Sequence, residues 1–211
     1  MCWNKEVSLN TFLFSSFVLG LIMYNNAYTQ YKIDYFNNIY VCIFFISFIS
    51  MQLVEYFIWV NVNNPFYNNI FTSLATLILL FQPIATNLLI NNNIIRKRLL
   101  YVYLLFIILI AFYNLNIKKI HSSISKLGHL HWNEVLINNN SVFTLIWSFF
   151  LLFPLFYERY NLYFIFGIVT FMITMYKFYN DKSKASTWCW FLNSLMIYYA
   201  AYLLVYLPFF K

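Results

Sequence analysis

The chain has 211 residues, of which 63% are hydrophobic and only 9% are charged. Soluble domains average about 25% charged residues, so this composition excludes an ordinary soluble protein and indicates an integral, multi-pass membrane protein. The formal net charge of +7 is spread over several short links, and the absence of a long basic run argues against nucleic acid as a partner. The lipid bilayer is the one partner predicted; protein partners stay unknown, and no cofactor is predicted.

Seven apolar segments follow one another along the chain. A helix rises about 1.5 Å per residue, so about 20 apolar residues cross a hydrocarbon core roughly 30 Å thick. The predicted spans cover about residues 9–28, 38–60, 66–90, 99–115, 141–156, 162–178 and 187–207. We therefore predict an all-α fold, an integral membrane bundle of seven transmembrane helices forming a single domain over residues 1–211. Because the fifth segment is short, the alternative is six spans and one re-entrant element.

The two sides of such a bundle differ in their side chains. With seven spans, all six tryptophans fall in the half that holds the N terminus, here called the A side. The same side holds His121, His129 and His131, in the one long link at about residues 116–140. An interfacial aromatic belt would be two-sided, so this distribution indicates a partly polar pocket or a lid on the A side. The opposite side is called the B side.

Glu55 is the one acidic residue inside any of the long apolar segments. A charged side chain at the centre of a membrane helix costs roughly 2.5–3.5 kcal/mol on insertion scales, so we expect Glu55 to point into protein. Gln52 and Trp59 lie three and four residues away on the same helix face. This face combines an amide, an acid and an indole, and it predicts a binding site near the A side. The alternative is that Glu55 is neutral and only joins helices by hydrogen bonds.

A second group of unusual side chains opens the last span. Cys189 and Asn193 are four residues apart, so they share a face that is able to meet Glu55 across the bundle. Together with Cys2 near the N terminus, the predicted binding residues are Gln52, Glu55, Trp59, Trp188, Cys189, Asn193 and Cys2. In the alternative interpretation, the cysteine packs as a small hydrophobe and the asparagine joins helices. A Cys2–Cys189 disulfide also stays open if the A side is oxidising.

Histidine and cysteine on the A side raise the alternative of a metal site. His129 and His131 form a His-x-His pair, and Glu134, Cys2 and Cys189 lie on the same side. Zinc needs three or four such ligands around one point. The chain has no His-x-x-x-His or Cys-x-x-Cys motif to anchor them, so metal binding stays undecided. Neither a Gly-rich phosphate loop nor a Gly-x-Ser-x-Gly elbow is present, and no enzymatic activity is assigned.

Three stretches of the chain share a distinctive pattern of residues: Met1-Cys2-Trp3-Asn4 followed by Val7-Ser8, the face Gln52-x-x-Glu55-x-x-x-Trp59, and Ser186-x-Trp188-Cys189. In these stretches the chain resembles an uncharacterised family of small polytopic membrane proteins. That family is found in bacteria and large DNA viruses and typically begins Met-Cys-Trp/Phe-Ser, whereas Asn4 stands at the fourth position here. The resemblance implies a multi-span bundle with no assigned activity, and the AT-rich residue usage is in line with a viral source.

The function predicted from the sequence is that of a binding or structural membrane component, for instance of a viral or cell envelope. Its polar site lies on the N-terminal side. The first alternative is an ion or small-molecule transporter that uses Glu55. The second is a metal-dependent membrane hydrolase; the seven-span, zinc-dependent alkaline-ceramidase-like hydrolases are similar in span number, but their histidine pair in the last span is missing here.

Overall fold

A computed structural model describes residues 4–114, 120–133, 140–178 and 180–210 of the chain. Within these residues the fold is helical apart from one short β-hairpin. The first helices are α1 (Lys5–Tyr28), α2 (Ile39–Val60), α3 (Pro65–Asn87), α4 (Asn93–Asn114), α5 (Ser141–Tyr157) and α6 (Asn161–Phe178). The last helical stretch comprises α7 (Lys184–Asn193), α8 (Leu195–Ala201), a π-helical segment (Tyr202–Tyr206) and α9 (Leu207–Phe210). A 3₁₀ turn (Asp34–Asn37) precedes α2, and the hairpin consists of β1 (His121–Ile124) and β2 (Leu130–Asn133).

Among the described residues, five helical stretches are long and apolar enough to cross a membrane. They are α1, α2, α3, α6 and the last stretch, Lys184–Phe209. Helix α5 is apolar but shorter, with 17 residues, and the 22-residue α4 begins with a basic turn. The predicted helical class and the capacity to span a membrane are confirmed at this level, whereas the number of seven spans stays a prediction.

Asparagine sets most of the helix starts. A side-chain oxygen caps the first turn of each of five helices, from Asn4, Asn38, Asn64, Asn92 and Asn140. Such a cap satisfies backbone N–H groups that have no partner inside the helix, and it is worth typically ~1 kcal/mol. The caps lie upstream of the apolar residues, so α1 starts at Lys5 and α4 at Asn93, earlier than hydropathy predicts.

Helix α2 lies at the centre of the bundle. In its most apolar window 67% of the residues are buried, against 28% to 44% in the other four stretches. It packs against α1, α3 and α7. The polar residues Ser47, Gln52 and Glu55 of this helix are all buried, which avoids the cost of exposing them to lipid.

The links between helices meet at two ends of the bundle. At one end, the backbone N–H and the side-chain amide of Asn91 donate to the Glu158 carboxylate at 2.9 and 2.5 Å. The Asn38 amide donates to the Tyr160 hydroxyl at 3.4 Å, also at this end. These contacts bring together the links α1–α2, α3–α4 and α5–α6 at what is called the B end. The hairpin and the α6–α7 link meet at the opposite, A end.

A proline inside α3 opens a connection to α5. Pro83 has no N–H to donate to the carbonyl of Leu79, four residues earlier. That carbonyl instead accepts a hydrogen bond from the indole N–H of Trp147, a buried residue of α5, at 2.8 Å. The neighbouring helix therefore satisfies an acceptor that the proline left without its usual partner.

Pro154 produces the same arrangement in the opposite direction. The Phe150 carbonyl of α5, four residues before this proline, accepts hydrogen bonds from the Asn87 amide at 3.2 Å and the Thr86 hydroxyl at 3.4 Å. Both donors belong to the last turn of α3. Each helix thus supplies donors for the carbonyl that the proline of the other helix leaves open. We call this pair of contacts the proline clasp.

The Trp147→Phe variant is expected to lose about 1–3 kcal/mol of unfolding free energy, because the buried Leu79 carbonyl loses its donor. In a Pro83→Ala background the same substitution should cost less, since the new N–H of residue 83 reaches that carbonyl. Reversible unfolding of the four proteins in mixed micelles measures the two costs as a double-mutant cycle. Equal costs in both backgrounds would show that the tryptophan acts through packing alone.

Candidate functional site

Glu55 is completely buried on the face of α2 that packs against α7. Its Oε2 accepts a hydrogen bond from Gln52 Nε2 at 3.1 Å, and the Ser186 hydroxyl of α7 lies beside the carboxyl. Its Oε1 has no hydrogen-bond partner among the described residues. No positively charged side chain in the described part of the chain stands near this carboxyl. A carboxyl so buried is stable only when it is protonated or when a cation is bound beside it.

Helices α3 and α7 add further polar side chains to this position. Gln82 of α3 donates from Nε2 to Cys189 Sγ at 3.9 Å, and Cys189 interacts electrostatically with Glu55. Asn193, one turn further along α7, donates from Nδ2 to the carbonyls of Phe48 at 3.1 Å and Cys189 at 2.9 Å. Three helices therefore meet in one polar cluster, which consists of Gln52, Glu55, Gln82, Ser186, Cys189 and Asn193.

The polar cluster contains more acceptors than its donors satisfy. The amide nitrogens of Gln52, Gln82 and Asn193 each donate in the contacts above. The side-chain carbonyl oxygens of the same three residues, and Oε1 of Glu55, are buried without a partner among the described residues. Buried polar atoms in folded proteins are nearly always paired, so four open oxygens in one cluster indicate a site for a bound group. A cation or a hydrogen-bond donor satisfies such oxygens.

The structure brings together four of the predicted site residues: Gln52, Glu55, Cys189 and Asn193. Trp188 is buried, but its indole N–H donates to Thr170 of α6 at 3.0 Å, so its polar atom serves α6 rather than Glu55. Trp59 is partly exposed and packs against the hydrophobic core, with its N–H buried and without a partner in the described part of the chain. Cys2 lies outside the described residues.

Two members of the polar cluster are absent from the site predicted by sequence. Gln82 has a signal that reasoning from sequence could have used, because it is an amide in the middle of an apolar segment, directly before a proline. Ser186 has no such signal, since a serine at a helix start is ordinary. Its role becomes visible only when α7 is packed against α2.

The described residues contain no group of three His, Cys, Asp or Glu side chains placed to hold a metal ion. Cys189 is a free, buried thiol rather than half of a disulfide. Burial lowers the pKa of His129, whose ring packs edge-on against Phe178 with centroids 5.1 Å apart. The other predicted ligand types, Glu134 and Cys2, lie outside the described residues.

A β-hairpin lies within the long A-side link. Strand β1 pairs antiparallel with β2, with Ser122 opposite Trp132. Gly128 in the turn has φ of +79°, a left-handed conformation that favours glycine. Leu130 and Trp132 are buried, so the hairpin is packed onto protein rather than extended into solvent.

Asn68 fastens the hairpin to the first turns of α3. Its Nδ2 donates to the Ser122 carbonyl at 2.9 Å, and the Ser122 backbone N–H donates to its Oδ1 at 2.7 Å. The amide therefore pairs with β1 much as a neighbouring strand would. The Thr72 and Ser122 hydroxyls add a hydrogen bond at 2.7 Å, and Asn69 donates to the Ile120 carbonyl at 2.6 Å.

Asp181 fastens the turn of the hairpin to the link before α7. Its carboxylate accepts from the Ser125 hydroxyl at 2.6 Å, the Leu127 backbone N–H at 3.2 Å and the Ser183 hydroxyl at 2.7 Å. Ser183 lies three residues before Ser186, whose hydroxyl faces Glu55. The hairpin, the α6–α7 link and the polar cluster are thus connected through one short piece of chain.

The docking of the hairpin turn is expected to weaken in acid. Partial burial raises the pKa of Asp181, but hydrogen bonds from Ser125, Ser183 and Leu127 outweigh this effect and hold that pKa below its ordinary value. The unfolded-state pKa is about 3.9, so this stabilisation is fully present above that pH and is lost as the pH falls through the lower, folded-state pKa.

Protease cleavage in the hairpin turn, followed between about pH 7 and pH 3, measures this effect. The wild-type turn should become more susceptible at the acid end. Asp181→Asn should be susceptible at every pH, because a neutral amide cannot accept all three hydrogen bonds. Glu6→Gln, which changes an exposed carboxylate of α1, is the matched control. A wild-type cleavage pattern that does not change with pH would contradict this role of Asp181.

No family model, curated protein or solved structure matches this chain. The fold defines a helical bundle in which five stretches of the described residues are able to cross a membrane. Its interior holds a polar cluster, and a hairpin is docked at the same end. The function is therefore argued from the polar cluster itself.

Proposed function

We propose that the chain is a multi-pass integral membrane protein that binds a small cation in the polar cluster. The observation that carries this proposal is the fully buried Glu55 carboxyl, whose Oε1 has no partner among the described residues. Three open amide oxygens belong to the same cluster. A cation bound at Glu55 would offset the desolvation of the carboxylate, and amide oxygens are ligands that hard cations prefer.

The chemistry of the cluster selects the kind of cation. One carboxylate and neutral amide oxygens balance a single positive charge, which favours a monovalent ion or a small protonated amine. Oxygen ligands suit hard cations rather than the soft metals that thiolates select. The thiol of Cys189 is already a hydrogen-bond acceptor for Gln82, so it is not required as a ligand.

Thermal unfolding of the purified protein in detergent tests this proposal, because a ligand that binds only the folded state raises the midpoint with its concentration. We expect a monovalent cation or a small amine to raise the midpoint of the wild type. Glu55→Gln should abolish the response, whereas Glu6→Gln should keep it. A wild type insensitive to all of these ions would remove the proposal.

The proposal includes seven spans, with the two termini on opposite sides of the membrane. Two observations support it. The links α1–α2, α3–α4 and α5–α6 meet at the B end. The hairpin contacts α3 and the α6–α7 link at the A end. Accessibility reporters at both termini and in the hairpin test this topology. Termini on the same side would contradict seven spans.

The same proposal includes the lipid bilayer as a partner and no nucleic-acid partner. It also includes kinship to the Met-Cys-Trp/Phe-Ser family.

A transporter of the bound cation is the second candidate function. The position of Glu55 inside an apolar helix favours it, because ionisable residues within spans often lie on ion pathways. Flux of the stabilising cation into vesicles separates this candidate from a binding component: flux that Glu55→Gln abolishes supports transport. The metal-dependent hydrolase has weaker support, and stoichiometric zinc in elemental analysis of the purified protein would restore it.

A further inference from the structure

A second recess lies at the B end, between the α1–α2 link and the last helical stretch. Its volume is about 420 Å³, within the usual range for small-ligand sites. Its lining includes two charged residues and four tyrosines: Lys32, Asp34, Tyr35, Tyr198, Tyr199 and Tyr202. We call it the tyrosine cleft. None of these residues belongs to the polar cluster, so the cleft is a separate site.

With the spans proposed above, on which this inference rests, the tyrosine cleft lies at the level of a membrane surface. The last helical stretch begins at Lys184 at the A end, and Tyr198 and Tyr202 follow about 21 and 27 Å along its axis, at 1.5 Å per residue. These positions approach the far boundary of a hydrocarbon core about 30 Å thick. Lys32 and Asp34 belong to the link between α1 and α2, where the chain leaves one span and enters the next.

The two charges of the cleft are not neutralised within the described residues. Lys32 and Asp34 are both exposed, and neither side chain makes a hydrogen bond or an ion pair with any other described residue. The cleft therefore offers one positive and one negative group to a ligand. A ligand that carries both signs of charge complements the pair, whereas a purely anionic or purely cationic ligand meets one repulsive group.

The tyrosines form an aromatic surface beside these charges, and contacts with other tyrosines fix their rings in place. Tyr199 is buried, and its hydroxyl is joined to that of Tyr163 at 2.5 Å. Tyr198 and Tyr202 stack with centroids 6.0 Å apart and remain partly exposed at the rim. Aromatic faces attract quaternary ammonium groups. Tyr202 is also the first residue of the π-helical segment, and such widened turns are frequent at functional sites.

We propose that the tyrosine cleft binds the zwitterionic headgroup of a choline phospholipid. The quaternary ammonium group lies against the tyrosines and Asp34, and the phosphate lies toward Lys32. The position of the cleft at the membrane surface presents it to lipid headgroups, and both signs of charge find a partner there. A primary ammonium would satisfy Asp34 but would use the aromatic faces less well than a trimethylated one.

Lipid retention tests this inference. The protein is reconstituted in vesicles with equal amounts of phosphatidylcholine and phosphatidylglycerol, then extracted into detergent, and the bound lipid is counted by native mass spectrometry. We expect phosphatidylcholine to be retained over phosphatidylglycerol by roughly tenfold, the size of a cation–π contact of about 1.4 kcal/mol. Equal retention of the two lipids, or a preference for the anionic one, would overturn the proposal.

Substitutions in the tyrosine cleft test whether the preference for phosphatidylcholine arises there. Asp34→Asn and Tyr202→Leu should abolish it, whereas Tyr202→Phe, which keeps the aromatic face, should preserve it. Tyr101→Leu, at an exposed tyrosine of α4 outside the cleft lining, is the matched control. Unchanged preference in Tyr202→Leu would overturn the proposal, and unchanged thermal unfolding of each variant shows that the fold is intact.

Soluble phosphocholine separates headgroup recognition from binding of the acyl chains. Because the proposal assigns the contacts to the headgroup, millimolar phosphocholine should displace retained phosphatidylcholine from the wild type. Retention that phosphocholine does not reduce would assign binding to the chains and overturn the headgroup site. This lipid test does not depend on the proposed cation site. Glu55→Gln should leave lipid retention unchanged even where it abolishes the response to cations.

Discussion

The Asn68→Ala variant is expected to release the β-hairpin from α3. The substitution removes both hydrogen bonds between the Asn68 amide and the backbone of Ser122, in a position that is only 2% exposed. It leaves a buried N–H and a buried carbonyl without partners, at about 1–3 kcal/mol each, so the docking should lose roughly 2–6 kcal/mol. Hydrogen exchange of the hairpin amides measures the loss as a fall in protection.

Asn69→Ala is the matched control for this prediction. Asn69 is the next residue on α3 and makes one hydrogen bond, to the Ile120 carbonyl, in a half-buried position. Its loss should therefore lower the protection of the hairpin less than the loss of Asn68. If protection is the same in Asn68→Ala and the wild type, the buried side chains of the hairpin hold it without the amide.

The second large effect is expected at Glu55, where alanine and glutamine should behave differently. Glu55→Ala removes the acceptor of the Gln52 amide and leaves a void in the core, so unfolding free energy should fall by at least about 1–3 kcal/mol. Glu55→Gln keeps the size of the side chain and an oxygen for that amide. We expect it to fold like the cation-free wild type while losing the response to cations.

Reversible unfolding of Glu55→Ala, Glu55→Gln and the wild type, with and without cation, measures both effects. Val41→Ala, a buried change on the same helix at the opposite end, controls for the loss of packing alone. If Glu55→Gln still responds to cations, the carboxylate does not bind them. The polar cluster would then be a set of structural hydrogen bonds between helices.

The local part of the candidate site could be predicted from the sequence because helix geometry is local. Gln52 and Glu55 lie three residues apart on one helix, so their hydrogen bond follows from helical spacing once the segment is known to be helical. The cost of a lipid-facing carboxyl predicts that this face is buried. In the same way, Cys189 and Asn193 share a face of α7, and the Asn193 amide donates to the Cys189 carbonyl.

The contacts between helices could not be predicted, because they depend on how two faces are brought into register. The Trp147–Leu79 hydrogen bond of the proline clasp joins residues 68 positions apart, and nothing near Pro83 in sequence indicates its partner. The sequence does not predict the hairpin, for another reason. Its strands have four residues each, too few for an alternating pattern to stand out, and the backbone of Ser122 makes two hydrogen bonds with Asn68 on another element.

The lengths of two helices have a consequence for the surrounding bilayer. The last helical stretch, Lys184–Phe209, has 26 residues and is about 39 Å long, whereas the 17 residues of α5 extend only about 26 Å. A helix longer than the hydrocarbon core tilts, and a shorter one thins the bilayer around it. With the seven spans proposed above, both mismatches occur together, so a thicker membrane strains α5 while a thinner one increases the tilt of the last stretch. Membrane thickness thereby becomes a physical variable that changes the tilt of the last stretch, whose tyrosines line the tyrosine cleft.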